Sequence, residues 1–193
     1  GKGDIGLDIG TQTIAISSKT DVKIYELADR VQNIENEKLK LLRKLDRSRR
    51  KNNPANYNED GIIKKQGNQK VIWIRSNRYI RTQNKLKELY RKQADIRKYQ
   101  HECLANKIIE QGDNVYVETM NYKGLQKRAK NTTVNEKTGK INRKKRFGKS
   151  LANKAPATLL AIIDRKLKYF NNQLIKIDTW SVKASQYNHI EDN

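Results

Sequence analysis

One cysteine, two prolines and two histidines in 193 residues leave little material for crosslinks or metal cages. A single Cys103 cannot close an internal disulfide, and a cysteine-based zinc site cannot be assembled from this chain alone, so zinc is not expected. Cys103 falls in a helical pattern with Leu104, Ile108 and Ile109 and reads as a small core residue. No carboxylate-rich cluster surrounds His101 or His189, which read as surface or core histidines. No apolar run approaches the roughly 20 residues that a membrane-spanning helix needs, and no signal-peptide pattern opens the chain. A cytoplasmic protein with no membrane partner is therefore expected.

Acid is the other scarcity: 21 Asp and Glu face 42 Lys and Arg, for a formal charge of +21. So large an excess repels itself in the folded state and usually persists because a polyanion neutralises it. The imbalance is local. Residues 1–29 hold three basic residues against five acids, and residues 155–193 hold five against four. Segments 31–53, 64–100 and 120–154 hold 8, 12 and 12 basic residues against 3, 2 and 1 acids. Near-neutral ends read as fold, and the basic middle as arms that touch phosphate. Its candidate nucleic-acid contacts are Lys44, Arg47, Arg49, Arg50, Lys51, Arg75, Arg78, Arg81, Lys127, Arg128, Arg143, Lys144, Lys145 and Arg146. Trp73, Tyr79, Tyr90, Tyr99 and Tyr122 interleave with these cations, as in a groove that tracks phosphates and stacks some bases, although Tyr90 and Tyr99 also suit helix packing.

Residues 4–18 alternate in the strand manner around a Gly10-Thr11-Gln12 break, which predicts a hairpin, and residues 22–25 add a third strand. Residues 31–51 turn helical, with Val31, Ile34, Leu41, Leu42 and Leu45 on one stripe. A second helix is expected from about 76 to 111, with Leu86, Leu89, Ile96 and Cys103 as its seam. Together they make a basic helical hairpin inserted over residues 31–111, between a core segment 1–30 and a second core segment 112–193. In the latter, residues 114–118 read as a buried strand and 120–154 as a long mobile loop. Pro156 opens an amphipathic helix with Leu159, Ile162, Ile163, Leu167 and Phe170 on one face. Residues 174–178 form a last strand, and the order predicts an α/β fold with a mixed sheet.

Two carboxylates stand out. Asp8 lies in an apolar strand between Leu7 and Ile9, and Glu118 follows Val115 and Val117 at the end of another. A carboxylate in a buried strand costs free energy unless it is paired or holds a metal. Oxygen ligands of this kind suit Mg²⁺ or Mn²⁺, and two-metal carboxylate sites cut phosphodiesters. A solvated strand end, or a salt bridge to a nearby Lys, is the competing reading.

The run GLDIGTQTIAI (residues 6–16) resembles the first RuvC motif of the TnpB family, the RNA-guided nucleases of insertion sequences, and of their relatives, the type V CRISPR effectors. NVYVETMNYKGL (residues 114–125) is similar to that family's second motif, and LIKIDTWSVKASQ (residues 174–186) resembles its strand leading into a Ser-Gln pair. The likeness runs in order along nearly the whole chain. It implies an RNase H-like (RuvC) mixed sheet, and Asp8 and Glu118 as catalytic ligands of Mg²⁺ or Mn²⁺. It also implies an endonuclease whose partners are DNA and a guide RNA or RNA–DNA hybrid. Two departures stand beside it. Asn188 and Glu191 occupy the place of the family's first zinc-binding cysteine pair, and a third RuvC carboxylate would fall beyond Asn193. Asp164, Asp178 and Asp192 do not occupy the matching position. The chain is thus expected to be a core segment, itself catalytically silent. The alternatives are a nuclease-inactive, repressor-like RNA-guided binder, an actin-like-fold ATPase suggested by DIGTQT, and a basic structural RNA-binding protein.

Overall fold

The computed structural model describes residues 3–64, 67, 70–118, 120–127, 134–139 and 147–178. Five strands form one mixed sheet: β1 (Asp4–Ile9), β2 (Thr13–Ser17), β3 (Val22–Glu26), β4 (Asn114–Glu118) and β5 (Leu174–Ile177), in the order β3-β2-β1-β4-β5. Strand β1 pairs antiparallel with β2 and parallel with β4, while β4 pairs parallel with β5. The fold is mixed α/β, as the order of elements along the sequence predicts.

The chain divides into two compact units, one of residues 1–29 and 98–193, the other of residues 30–97. Helix α2 (Asn77–Ile109) runs through the division, so its last turns belong with the sheet rather than with the hairpin. In the sheet unit, period-2 alternation drives one face inward. Ile5, Leu7 and Ile9 of β1, Ile14 and Ile16 of β2, and Val115 and Val117 of β4 are all buried. Against them pack Leu159, Ile162, Ile163 and Leu167 of α5 (Pro156–Tyr169), and Ala105 and Ile108 of α2. Each fully buried aliphatic side chain of this kind contributes about 1.5–3 kcal/mol. Pro156 stands in the first turn of α5, where its missing N–H costs nothing. The helix ends on Asn171 at φ 59, with the Asn172 and Asn171 amides donating to the Leu167 and Lys168 carbonyls.

Several assignments differ from the sequence expectation. Phe170 lies outside the α5 stripe and is exposed. The buried residues at the end of α2 are His101, Ala105 and Ile108, and Cys103 is only half-buried. Segment 120–154, expected as a loop, carries α3 (Tyr122–Gln126) and α4 (Gly148–Lys154) among its described residues. Its last cation is structural. Lys154 is buried, 2.7 Å from a Glu26 carboxylate oxygen, and its own carbonyl meets the Nε2 of the fully buried His101.

The hairpin unit holds α1 (Gln32–Asn52) and the first two-thirds of α2. Its seam is more polar than the leucine pattern suggests. Leu42 is exposed, and the buried positions are Ile34, Glu35, Lys38 and Leu45 of α1 with Thr82, Leu86 and Gln93 of α2. The Lys38 ammonium donates to a Glu35 oxygen at 3.0 Å and to Gln93 Oε1 at 2.8 Å, and sits 4.2 Å from the Tyr90 ring centroid.

Candidate functional site

The site lies on the sheet face opposite the core. In β1 the odd positions turn inward, so Asp4, Gly6 and Asp8 face out; in β4, Asn114 and Glu118 are exposed by the same alternation. The parallel register pairs Leu7 with Val117, which sets Asp8 and Glu118 side by side one step further along. Both sit toward the carboxyl ends of their strands, where open α/β sheets gather ligands. Neighbouring strands lie about 5 Å apart, and both carboxylates line one hollow on this face.

Cross-strand pairs extend the row. Asp8 pairs with Ala15, Ala15 with Ile24, and Glu118 with Ile177, so the two acids are flanked by apolar side chains. With Gly6, Ser17 and Tyr116 they line a shallow hollow of about 270 Å³. Neither carboxylate makes an ion pair or hydrogen bond among the described residues, although the chain carries twice as many basic as acidic side chains. Two hydrated carboxylates at that spacing repel by roughly 1 kcal/mol, and more where water is partly excluded. The desolvation argument made from the sequence does not hold, because both acids are exposed: their strands are buried on one face only.

Tyr122, read from the sequence as one aromatic among many cations, stands near the acids. Its phenol is pushed up to about 12, first by burial and then by the negative charge of Asp8. Local chemistry holds it there. Helix α3 opens directly after β4, and the Asn121 side chain caps it by accepting from the Gly124 amide at 2.9 Å. A Cβ on Gly124 would lie 3.1 Å from that cap, which explains the glycine in the Asn-x-x-Gly stretch. Glu118 and Tyr122 also border a second, larger hollow of about 580 Å³, with Met120, Asp164, Lys168 and Lys176 on its walls.

Asp164 and Asp178 do not line the hollow that Asp8 and Glu118 share. Asp164 is 2.7 Å from Lys168, whose hydrogen bond holds the carboxyl below its ordinary range. Asp178 lines neither hollow, and Asp192 lies outside the described residues. No cluster of three His, Cys, Asp or Glu exists among the described residues. The pair nonetheless fits a small hard cation. Mg²⁺ is commonly held by one or two carboxylates, with water and substrate phosphate oxygens completing its shell.

Of the candidate phosphate contacts, Lys44, Arg47, Lys51, Arg75, Arg78 and Arg81 are exposed and make no ion pair among the described residues. Arg49 and Arg50 are engaged within the protein. Both bond Asp46, Arg50 also donates to the Gly61 carbonyl at 3.0 Å, and they lie over the Trp73 and Tyr57 rings respectively. Lys127 is exposed at the end of α3. Arg128, Arg143, Lys144, Lys145 and Arg146 lie outside the described residues, as do His189, Asn188 and Glu191. No helix among the described residues is long and apolar enough to cross a membrane.

No protein-family model matches the chain, and no curated protein matches it in sequence.

Proposed function

We propose that the sheet is RNase H-like, of the RuvC kind, and that the chain is the core segment of a metal-dependent DNA endonuclease of the cytoplasm, directed by a guide RNA. One observation carries this reading: Asp8 and Glu118 stand side by side at the carboxyl ends of two parallel strands, and neither makes an ion pair among the described residues. Unpaired adjacent acids are unfavourable alone and become favourable when they hold a divalent ion. The strand order, an antiparallel arm β3-β2-β1 continued by parallel β4 and β5, supports the fold assignment.

Asp8 and Glu118 would hold Mg²⁺ or Mn²⁺, which when bound supplies an activated water and charge stabilisation at the phosphodiester. The residues of the chain do the remaining work. The two carboxylates would hold that ion on the open face of the sheet, at the carboxyl ends of β1 and β4. Tyr122, kept protonated, can donate a hydrogen bond beside Asp8 at neutral pH. The exposed cations of the hairpin hold the polyanion by charge, without reading its sequence, which suits a nuclease that delegates recognition to base pairing.

The test is a Mn²⁺ titration of the chain followed by electron paramagnetic resonance, with DNA cleavage by the intact protein as the second arm. Binding of Mn²⁺ should be lost in Asp8→Asn and in Glu118→Gln, and Asp8→Ala should abolish cleavage while nucleic-acid binding persists. Mn²⁺ binding that survives both substitutions together would overturn the proposal.

A further inference from the structure

The tip of the helical hairpin presents isoleucine to solvent in a way that packing does not explain. Val71 and Trp73 are half-buried, whereas Ile72 and Ile74 between and after them are 83% and 68% exposed. Ile62, in the turn that precedes them, is 64% exposed. Single exposed aliphatics are ordinary, but Ile72 and Ile74, two positions apart on an extended segment whose intervening Trp73 is half-buried, are presented to solvent together, as at interaction sites.

These side chains are held outward by dedicated bonds. The Asn53 side chain, itself buried, both donates to the Ile74 carbonyl at 3.0 Å and accepts from the Ile74 amide at 2.7 Å, as a neighbouring strand would. Asn56 donates to the Ile72 carbonyl at 2.8 Å. On the other side Trp73 is anchored edge-on to Tyr57, with the Arg49 guanidinium 5.2 Å from its ring centroid. Alternation then leaves Ile72 and Ile74 no inward choice.

Charge identifies the occupant. Residues 43–81 carry twelve basic side chains against three acids, and one of those acids, Asp46, is already taken by Arg49 and Arg50. A second copy of so basic a tip is repelled, and a few isoleucines bury too little to hold a lipid surface. A nucleic acid offers phosphates for Arg47, Arg75 and Arg78 and, where its strands are open, apolar base faces for the isoleucines. Aliphatic wedges against unstacked bases are an established mode of recognition.

We infer that the tip is a wedge, with Ile72 and Ile74 contacting unpaired nucleobases while the surrounding cations hold the adjoining phosphates. The inference rests on the nucleic-acid part of the proposed function and is independent of the carboxylate pair.

Its test compares a duplex carrying a short unpaired bubble, labelled in the bubble with 2-aminopurine, and the same duplex fully paired. Binding is measured in EDTA across a salt series, with wild type and the double variant Ile72→Ser/Ile74→Ser. Wild type should prefer the bubble by about tenfold and change the 2-aminopurine fluorescence, as expected for one or two base contacts. The variant should lose the preference and the fluorescence change while keeping its salt slope. Because both isoleucines are exposed, the variant should fold as wild type does, which circular dichroism checks. An unchanged preference in the variant overturns the wedge and leaves the proposed function standing. Absence of binding to either duplex at low salt overturns both. Self-association, or binding to phosphatidylglycerol vesicles, that the variant abolishes while DNA binding is unaffected would also overturn the wedge.

Discussion

Tyr122 keeps its phenolic proton up to about 12 because its ring is half-buried and, secondly, because the Asp8 carboxylate is charged close by. A raised folded value means that the neutral phenol is favoured by the fold. The resulting stability is complete below the ordinary tyrosine range and is lost as pH rises through about 12. In a tyrosinate absorbance titration, Tyr122→Phe should remove one late ionisation, with a midpoint of about 12, from the wild-type curve. Asp8→Asn should lower that midpoint only in part, since burial is the larger cause. A midpoint indifferent to Asp8→Asn would separate Tyr122 from the carboxylate site.

Lys38 makes a second prediction. It is buried together with Glu35 and Gln93 in the hairpin seam, where apolar residues would serve cohesion better. Lys38→Met removes the buried bonds to Glu35 and Gln93 together with the charge between them, and should cost about 1–3 kcal/mol. Replacing Glu35, Lys38 and Gln93 together by Leu, Met and Leu should restore most of that. Urea unfolding of the two variants checks the ordering, and a single variant as stable as wild type would show that the network is solvated.

This network marks where the sequence was hard to read. Alternation in β1 and β4 exposed Asp8 and Glu118 as the polar members of apolar strands, and parallel pairing put them together. Yet the strands looked buried on both faces, because nothing local distinguishes a covered face from an open one. Leu42 and Phe170 matched the helical period and still face solvent, since a stripe reports only which residues could pack. The burial of Lys38 and Gln93 is invisible to the helical period for the opposite reason: it depends on a partner 55 positions away. Arg49 and Arg50 counted as free charge until Asp46 and the rings of Trp73 and Tyr57 came into place around them.

Gly112 gives a sharper test of the register that builds the site. A Cβ there would lie 2.6 Å from the Gly3 carbonyl oxygen and 2.8 Å from Ile5 Cγ1, so backbone of the chain leading into β1 must shift. Overpacking of this sort costs about 1–3 kcal/mol, and Gly112→Ala should lose that much in urea unfolding. Gly6→Ala is the control. Its Cβ would meet only the Ser17 Cβ, at 3.9 Å, so stability should stay within about 0.5 kcal/mol of wild type. Equal effects at the two glycines would contradict the approach of β1 to the start of β4.

Cations that look alike in the sequence should behave differently in binding. Arg47, Arg75 and Arg78 are exposed and make no ion pair among the described residues, whereas Arg50 bonds Asp46 and the Gly61 carbonyl and covers the Tyr57 ring. Each phosphate neutralised on duplex DNA adds roughly 0.9 to the slope of log affinity against log salt. Alanine at Arg47, Arg75 or Arg78 should therefore flatten that slope by about 0.9 and leave the unfolding midpoint in place. Arg50→Ala should do the reverse, lowering the unfolding midpoint with little change in slope. The proposed attraction to phosphate is blind to base sequence, so the weakening at Arg47, Arg75 and Arg78 should be the same for unrelated DNA sequences. A slope that falls equally for all four variants would mean that Arg50 leaves Asp46 to bind DNA, and a slope that none of them moves would place the phosphate contacts elsewhere on the chain.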